Sequence, residues 1–353
     1  MLVRRSAAMM EALSAVAPGQ PLREGLDRIL QASMGALIVV GDGKAVLDIC
    51  SGGFLFDTEF SPQRLSELAK MDGAIILTPD ASRIARANVH LVPDPKVDTS
   101  ESGTRHRTAE RVARSIDVPV ISVSEDMSFI AVYRHDLKHP LESIPRLLNR
   151  ANHALQTLER YKNRLDTVTG ALSALEVQNL VTERDVITVL QRAEMVRRIA
   201  EEIDGYVVEL GVDGRLVLLQ LDELLGGVED DRRLVIRDYV HEQRSWNLDQ
   251  AMVGLANLTV EELLDLQAVA DVLNLPKVGI DGFVQPKGYR LLHKIRLPEA
   301  VIERTVEYFG SLDKLRSASL ADLERVPGVQ SRARAIQDGL ARLTDLTLVE
   351  RYS

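Results

Sequence analysis

The sequence predicts an α/β domain, then an all-α stretch, then a small helical module, and three observations predict it. The first 140 residues or so alternate short β-rich runs with amphipathic helical patterns. From His139-Pro140 to about residue 275 only helical spacing remains. A turn-rich segment, Lys277-Val278-Gly279-Ile280-Asp281-Gly282 and Pro286-Lys287-Gly288, then precedes the one region with a positive charge balance. The expected boundaries are 1–140, 141–280 and 281–353, in keeping with a chain of 353 residues that has room for two or three domains.

In order, an Ala-rich start with Arg4, Arg5 and Glu11 reads as an amphipathic helix, not a signal peptide. Leu22, Leu26, Ile29 and Leu30 follow the spacing of a helix buried on one face. Gly35 to Val40, stopped by Gly41-Asp42-Gly43 and followed by Ala45 to Ile49, reads as a hairpin with a Gly-rich turn. Ser61-Pro62 is an N-cap with proline at the first helical position, and Leu65, Leu68 and Ala69 line one face. Ala74 to Leu77, Val89 to Val92, Val118 to Val123 and Phe129 to Tyr133 are the other strand candidates, with a helix between Thr104 and Ile116. Fully apolar strands such as Ala74-Ile75-Ile76-Leu77 are buried on both faces, so helices should cover the sheet.

The helical stretch shows Leu147, Leu148, Ala151, Leu155, Leu158 and Leu165, then a second segment from an N-cap at Thr182 through Val186, Leu190 and Ile199. Residues 201–240 carry 11 acids against 4 bases and read as a solvated, negative part of a spacer without a catalytic constellation. Residues 281–353 hold 12 bases and 10 acids, whereas the whole chain is at −9. With 45% hydrophobic and 27% charged residues the composition is globular. The single Cys50 excludes an intrachain disulfide framework and a Cys-based zinc site. No apolar run approaches the roughly 20 residues of a membrane span, so the sequence reads as soluble and intracellular.

Two segments carry candidate chemistry. Met71-Asp72-Gly73-Ala74 puts a carboxylate and a glycine between a helix and a buried strand, where the acid can hold a hard divalent cation; an ordinary Asp-Gly turn has the same pattern. Ser102-Gly103-Thr104-Arg105-His106-Arg107-Thr108 opens a helix, offering free N–H groups and the positive dipole end. Arg105 and Arg107 add forked cations for phosphate, Thr104 and Thr108 add hydroxyls, and His106 stands between them. An N-capped helix with surface arginines has the same residues. Walker, Rossmann, Gly-x-Ser-x-Gly and His-Glu-x-x-His patterns are absent.

These pieces resemble the DisA family of diadenylate cyclases. The matching residues are Gly35 to Gly41, Ser51-Gly52-Gly53-Phe54, Asp72-Gly73-Ala74, Leu91-Val92-Pro93-Asp94 and Ser102 to Arg111. The resemblance covers the whole chain. It implies an α/β cyclase domain with a mixed sheet flanked by helices, an all-α helical spine and a helix-hairpin-helix DNA-binding domain. It also implies condensation of two ATP into cyclic di-AMP with release of two pyrophosphates, using Mg²⁺ or Mn²⁺. By resemblance, Asp72 is the metal-linked acid that helps activate the 3′-hydroxyl. Gly73 and Leu91 lie against the nucleotide, Leu91 as an apolar contact for adenine, and Thr104, Arg105, His106, Arg107 and Thr108 hold the phosphates. The role of Glu125 stays open, because relatives carry either an acid or a base there. Each 3′-hydroxyl must attack the other ATP, so two copies must confront each other, and the family implies an octamer of two facing tetramers in the cytoplasm, associated with the nucleoid.

In the last module, Val326-Pro327-Gly328-Val329 followed by Arg332-Ala333-Arg334 looks like the second hairpin of the family's DNA-binding domain, and Arg290 to Pro298 looks like the first. Gly328, Val329, Arg332 and Arg334 are the candidate contacts to branched or recombination-intermediate DNA, with Arg290, Lys294 and Arg296 as further cations. Such contacts read the backbone and not the sequence. The family has glycine two residues after Gly328, where this chain has Gln330. The alternative is a protein of DNA junctions that uses ATP only as a sensor ligand. His90, His135, His139, His153, His241 and His293 lack metal-ligand spacing, and the isolated Trp246 reads as a packing residue.

Overall fold

The computed structural model describes residues 6–125, 129–240, 247–273, 275 and 279–350, so His241, Trp246, Lys277 and Val278 lie outside the described residues. The chain divides into two compact units, Leu2–Leu155 with Glu202–Gln220, and Gln156–Glu201 with Leu221–Ser353.

In the first unit eight strands form one sheet: β1 (Ala36–Val40), β2 (Cys50–Ser51), β3 (Phe54–Glu59), β4 (Ala74–Leu77), β5 (Arg83–Leu91), β6 (Val120–Ser124), β7 (Phe129–Arg134) and β8 (Leu137–Pro140). Their order is β2-β5-β4-β1-β6-β7-β8, with β3 also on β5. β1 and β4 are parallel, with Leu37 opposite Ala74, and the other pairs are antiparallel. The sheet is therefore mixed. All positions of β1 and β4 are buried, which requires cover on both faces. Helices α1 (Ala7–Ala15), α2 (Pro21–Gln31), α3 (Lys44–Asp48), α4 (Pro62–Leu68) and α5 (Thr104–Ser115) supply it. Leu13, Leu26 and Leu65 of α1, α2 and α4 pack on Ile38, Ile75, Leu77 and Ile121. On the other face, Ala109, Val112 and Ala113 of α5 pack with Leu37, Val39, Ile76 and Val120.

The hairpin expected from Ala45 to Ile49 is instead helix α3. The reason lies in the neighbours of β1: β4 and β6 take both its edges, so no edge remains for a hairpin partner. The Ser61 N-cap is present, its side chain accepting from Arg64 N–H. Strand β3 escaped the sequence reading because Phe54, Leu55 and Phe56 are exposed and show no alternation. Strand β8 escaped it because it ends on a proline, which only an edge strand tolerates.

The second unit is helical. It takes residues from α6 (Ile144–Gln178), α7 (Glu183–Leu210) and α8 (Arg215–Leu225), and all of α9 (Val228–Tyr239). The acidic stretch 201–240 is not wholly solvated as expected: Glu209, Arg232 and Asp238 are buried. Charge pairing makes this possible for Arg232, which meets the fully buried Glu194 at 3.0 Å, where Arg197 and Arg198 also converge. Further helices follow at Tyr289–Lys294, Glu299–Phe309, Leu312–Ser317, Leu320–Glu324 and Ala333–Glu350. They enclose Leu291, Leu292, Ile302, Val306, Leu323, Val329 and Ile336.

Candidate active site

Topology gathers the sequence candidates at one end of the mixed sheet. β1 and β4 both start there, since they run parallel with Leu37 beside Ala74. β6 ends there, with Val123 opposite Ala36, and β7 begins there, with Phe129 opposite Ser124. β5 ends there too, its Val89 facing Ala74. Asp72, Gly73, Leu91 and Glu125 therefore share this end. Arg105 joins them through Gly35, because a Cβ on Gly35 would stand 2.1 Å from the Arg105 guanidinium.

The Asp72 turn is built by backbone constraints. Gly73 has φ +93°, and a Cβ there would lie 2.9 Å from the backbone of Asn88 and Val89. Only glycine lets the turn lie this close to β5. Asn88 Nδ2 donates to the Asp72 carbonyl at 2.7 Å, and Asp72 Oδ1 accepts from Gly73 N–H at 2.9 Å. The carboxylate is exposed, and its other oxygen has no partner among the described residues. A hard oxygen donor of this kind fits Mg²⁺ or Mn²⁺. Among the described residues no group of three or more His, Cys, Asp or Glu could hold a metal.

Leu91 departs from the expected apolar contact. Its side chain is 5% exposed and belongs to the core beneath α5. Leu91 faces Cys50 of β2 while Val92 N–H donates to Ile49 O at 2.8 Å. This makes Leu91–Cys50 a pair without mutual hydrogen bonds, so the Leu91 N–H and C=O point away from β2, toward the side of β4.

The helix α5 starts with Gly103 as N-cap and no side-chain cap, leaving its first N–H groups open to an anion. Glu110, one helical turn and more along, anchors the preceding loop. It accepts from Thr99 Oγ1 at 2.5 Å, Ser100 N–H at 2.9 Å and Ser100 Oγ at 3.1 Å, and pairs with Arg114 at 3.0 Å. Burial opposes its charge, but these hydrogen bonds and Arg114 prevail and hold the carboxyl below its usual range. Among the described residues neither Arg105 nor Arg107 has an ion-pair partner, and Arg107 and Thr104 are exposed. Thr108 Oγ1 donates to the Thr104 carbonyl at 2.9 Å.

His106 is held from behind. Its Nδ1 lies 2.8 Å from Ser122 Oγ and 3.0 Å from Tyr133 Oη, and its ring stacks on Phe129 with centroids 5.5 Å apart at 15°. Burial, with Arg105 and Lys138, lowers its pKa against the opposing pull of Glu101. Sequence reasoning missed Ser122, Tyr133, Glu101, Glu110 and Asn88. Glu110 was within reach, lying in the stretch Ser102 to Arg111 that carries the resemblance; the others are unremarkable locally. Glu125 is exposed just after β6.

In the other unit, Gly328 has φ +78° in a turn where Val329 N–H bonds Val326 O at 3.1 Å. Val329 is fully buried, so it can offer a ligand only its main chain. Arg332 and Arg334 are exposed. Gln330 begins a short 3-10 turn, Gln330–Arg332, and is not among the residues of positive φ, so it sits there without backbone strain. Arg304, absent from the sequence candidates, lies over this turn: a Cβ on Gly328 would stand 2.0 Å from its Nη1. Arg304, Tyr308, Glu307, Pro327 and Gly328 line a depression of about 550 Å³. Two other candidates are removed from solvent contact or engaged. Arg290 is 2% exposed and bonds Glu176 at 2.5 Å, and Lys294 Nζ bonds Ser173 Oγ at 2.7 Å.

Comparison with known proteins identifies the family. Residues 23–137 match a family described as the DisA bacterial checkpoint controller nucleotide-binding region, and residues 141–279 match its linker region. The DNA integrity scanning protein DisA of Kineococcus radiotolerans is 56% identical over 349 residues, covering 98% of this chain and 97% of that one. The protein of that name from Acidothermus cellulolyticus is 57% identical over 346 residues, 96% and 94% of the two chains. The one from Streptomyces avermitilis is 54% identical over 351 residues, 98% and 94%. With a glycine-backed carboxylate and an arginine-flanked helix start at one sheet end, and relatives matched along nearly the full length, this chain belongs to the DisA family of diadenylate cyclases.

Proposed function

We propose that two copies of the chain bring their sheet ends face to face, each with one ATP, and that Asp72 serves the attack of each 3′-hydroxyl on the opposite α-phosphate. The reaction is that of a diadenylate cyclase, two ATP giving cyclic di-AMP and two pyrophosphates. The observation that carries the assignment is that Arg105 lies over Gly35 just before β1, while the Asp72 turn stands just before β4, the parallel neighbour of β1. The carboxylate of Asp72 directs one oxygen toward the reacting hydroxyl, and Gly73 fixes it there by seating the turn on β5. The N–H groups that open α5, with the Arg105 and Arg107 guanidinium groups, take up the polyphosphate charge. His106, Thr104 and Thr108 complete that cradle, and the Leu91 main chain meets the adenine edge. A bound Mg²⁺ or Mn²⁺ at Asp72 would offset charge growing at the α-phosphate. No helix among the described residues is long and apolar enough to cross a membrane.

We also assign the C-terminal helices to branched DNA as a helix-hairpin-helix module, bound through its backbone and modulating the cyclase. Its support is the exposed Arg332 and Arg334 beside the Gly328 turn and the positive balance of residues 281–353. Asp72→Asn tests the cyclase assignment: the product, measured by mass spectrometry, should vanish while size-exclusion chromatography shows the same assembly. Synthesis at the wild-type rate would remove Asp72 from the chemistry.

A further inference from the structure

Three side chains behind His106 stand outside the groups that meet the nucleotide. Tyr133 and Ser122 are 1% and 0% exposed, and both hydroxyl oxygens reach His106 Nδ1. Tyr133 Oη donates its one proton to Glu101 Oε1 at 3.3 Å, and burial pushes the phenol up, so the proton stays. A phenol already donating to a carboxylate can only accept from an imidazole. A bare Nδ1 would set its lone pair against that of the phenol oxygen at 3.0 Å, whereas Nδ1–H suits both neighbours. The hydrogen bonds then run from it to Tyr133, directly or through Ser122, whose hydroxyl bonds Tyr133, and on to Glu101, which Lys138 meets at 2.5 Å. A carboxylate at the end of such a chain sets the tautomer of the imidazole, as it does for a directly paired histidine. Stacking on Phe129 fixes the ring plane. The Cδ2 edge faces the start of α5, 3.5 Å from where a Gly103 Cβ would stand, so the adjoining Nε2 lies on the side of that helix start.

We propose that Tyr133 is a positioning residue of the condensation. With Ser122 and Glu101 it holds His106 as the Nδ1–H tautomer and presents a bare Nε2 to the ATP polyphosphate, where Nε2 takes a proton from solvent as the nucleotide binds. This rests on the reading that residues 104–108 cradle the phosphates. The charged groups facing the ring are Glu101 from the loop before α5, Arg105 from α5 and Lys138 from β8. Against burial and two cations the free imidazole stays neutral near pH 7. A polyanion beside Nε2 reverses that balance and turns the atom from acceptor into donor.

The test is magic-angle-spinning NMR of full-length protein labelled with ¹⁵N-histidine, with His106 assigned by its loss in His106→Asn. Without nucleotide, Nδ1 should carry the proton and Nε2 should not; with 3′-deoxy-ATP, which binds but cannot condense, both should be protonated. Tyr133→Phe, which keeps the buried ring, should mix the tautomers and raise KM for ATP about 3–10-fold, the range expected for one hydrogen bond, with little change in kcat. Glu101→Gln should mix the tautomers as well, and covers the case of a Tyr133→Phe protein that does not fold. In the His106→Asn background Tyr133→Phe should cost nothing more. An Nε2–H tautomer in the free wild type would overturn the proposal, as would fully additive losses in the double variant. If the wild type binds 3′-deoxy-ATP but forms no cyclic product from ATP, the cyclase reading fails while the tautomer result stands by itself.

Discussion

Arg290 shows how a cation that reads as a DNA contact can instead hold the fold. It is 2% exposed and its partner Glu176 is 1% exposed, with 2.5 Å between them. Tyr239 Oη donates to Glu176 Oε1 at 2.7 Å, and Ser173 Oγ lies 3.4 Å from Arg290 Nη2. The other Glu176 oxygen has no partner among the described residues, so Arg290→Ala would leave a buried carboxylate with the Tyr239 hydroxyl alone. Breaking such a pair from one side costs roughly 3–5 kcal/mol. For a unit of this size, about 2–4 °C per kcal/mol predicts a fall in Tm of about 6–20 °C. Replacing both partners, as Glu176→Met with Arg290→Met, should recover most of that loss, since paired burial has little net value. Melting and urea curves of the three proteins measure this. DNA titrations over a range of salt then separate the two roles. The double Met variant should keep the wild-type salt slope, whereas Arg332→Ala with Arg334→Ala should lower it by about 1.8, near 0.9 for each phosphate no longer neutralised. An unchanged Tm for Arg290→Ala, or a reduced slope in the double Met protein, would refute the reasoning.

Other outcomes follow from the turn and the loop around the site. Gly73→Ala places a Cβ 2.9 Å from β5 backbone at φ +93°, whereas Gly52→Ala, at φ +66°, meets nothing within 4 Å. Both should carry a dihedral cost of roughly 1–2 kcal/mol, but only Gly73→Ala should also displace the Asp72 turn and lose cyclase activity beyond its loss in Tm. Glu110 titrates below its ordinary 4.5 in the folded chain, so its stabilisation is complete above that pH and is lost as pH falls through the folded value. Glu110→Gln should therefore be less stable than wild type at pH 7, by about 1–3 kcal/mol, and the gap should close as the melts are taken to acid pH.

The legible parts of this protein were those whose signal is local. Asp72-Gly73-Ala74 and Gly103 to Thr108 announce turns and helix starts through residue type alone, and the structure brings them to one sheet end, the first through strand register and the second through Arg105 over Gly35. The helix at Lys44–Asp48 was misread because a Gly-rich turn after a strand looks like a hairpin until both strand edges are known to be taken. Tyr133 lies 27 residues from His106, and Arg290 lies 114 from Glu176. No periodicity reports such partners, so a buried phenol looked like a strand residue and a buried cation like a surface one. Leu91 was expected to offer its side chain, yet strand pairing turns that side chain into the core and its N–H and C=O toward the side of β4.

The central claim is the reaction itself. Purified full-length protein incubated with ATP and Mg²⁺ or Mn²⁺, with the products identified by mass spectrometry, tests it most directly. A cyclic dinucleotide of two AMP units together with pyrophosphate is the predicted result. ATP that is bound yet unchanged with either metal would contradict the account and make the site a sensor.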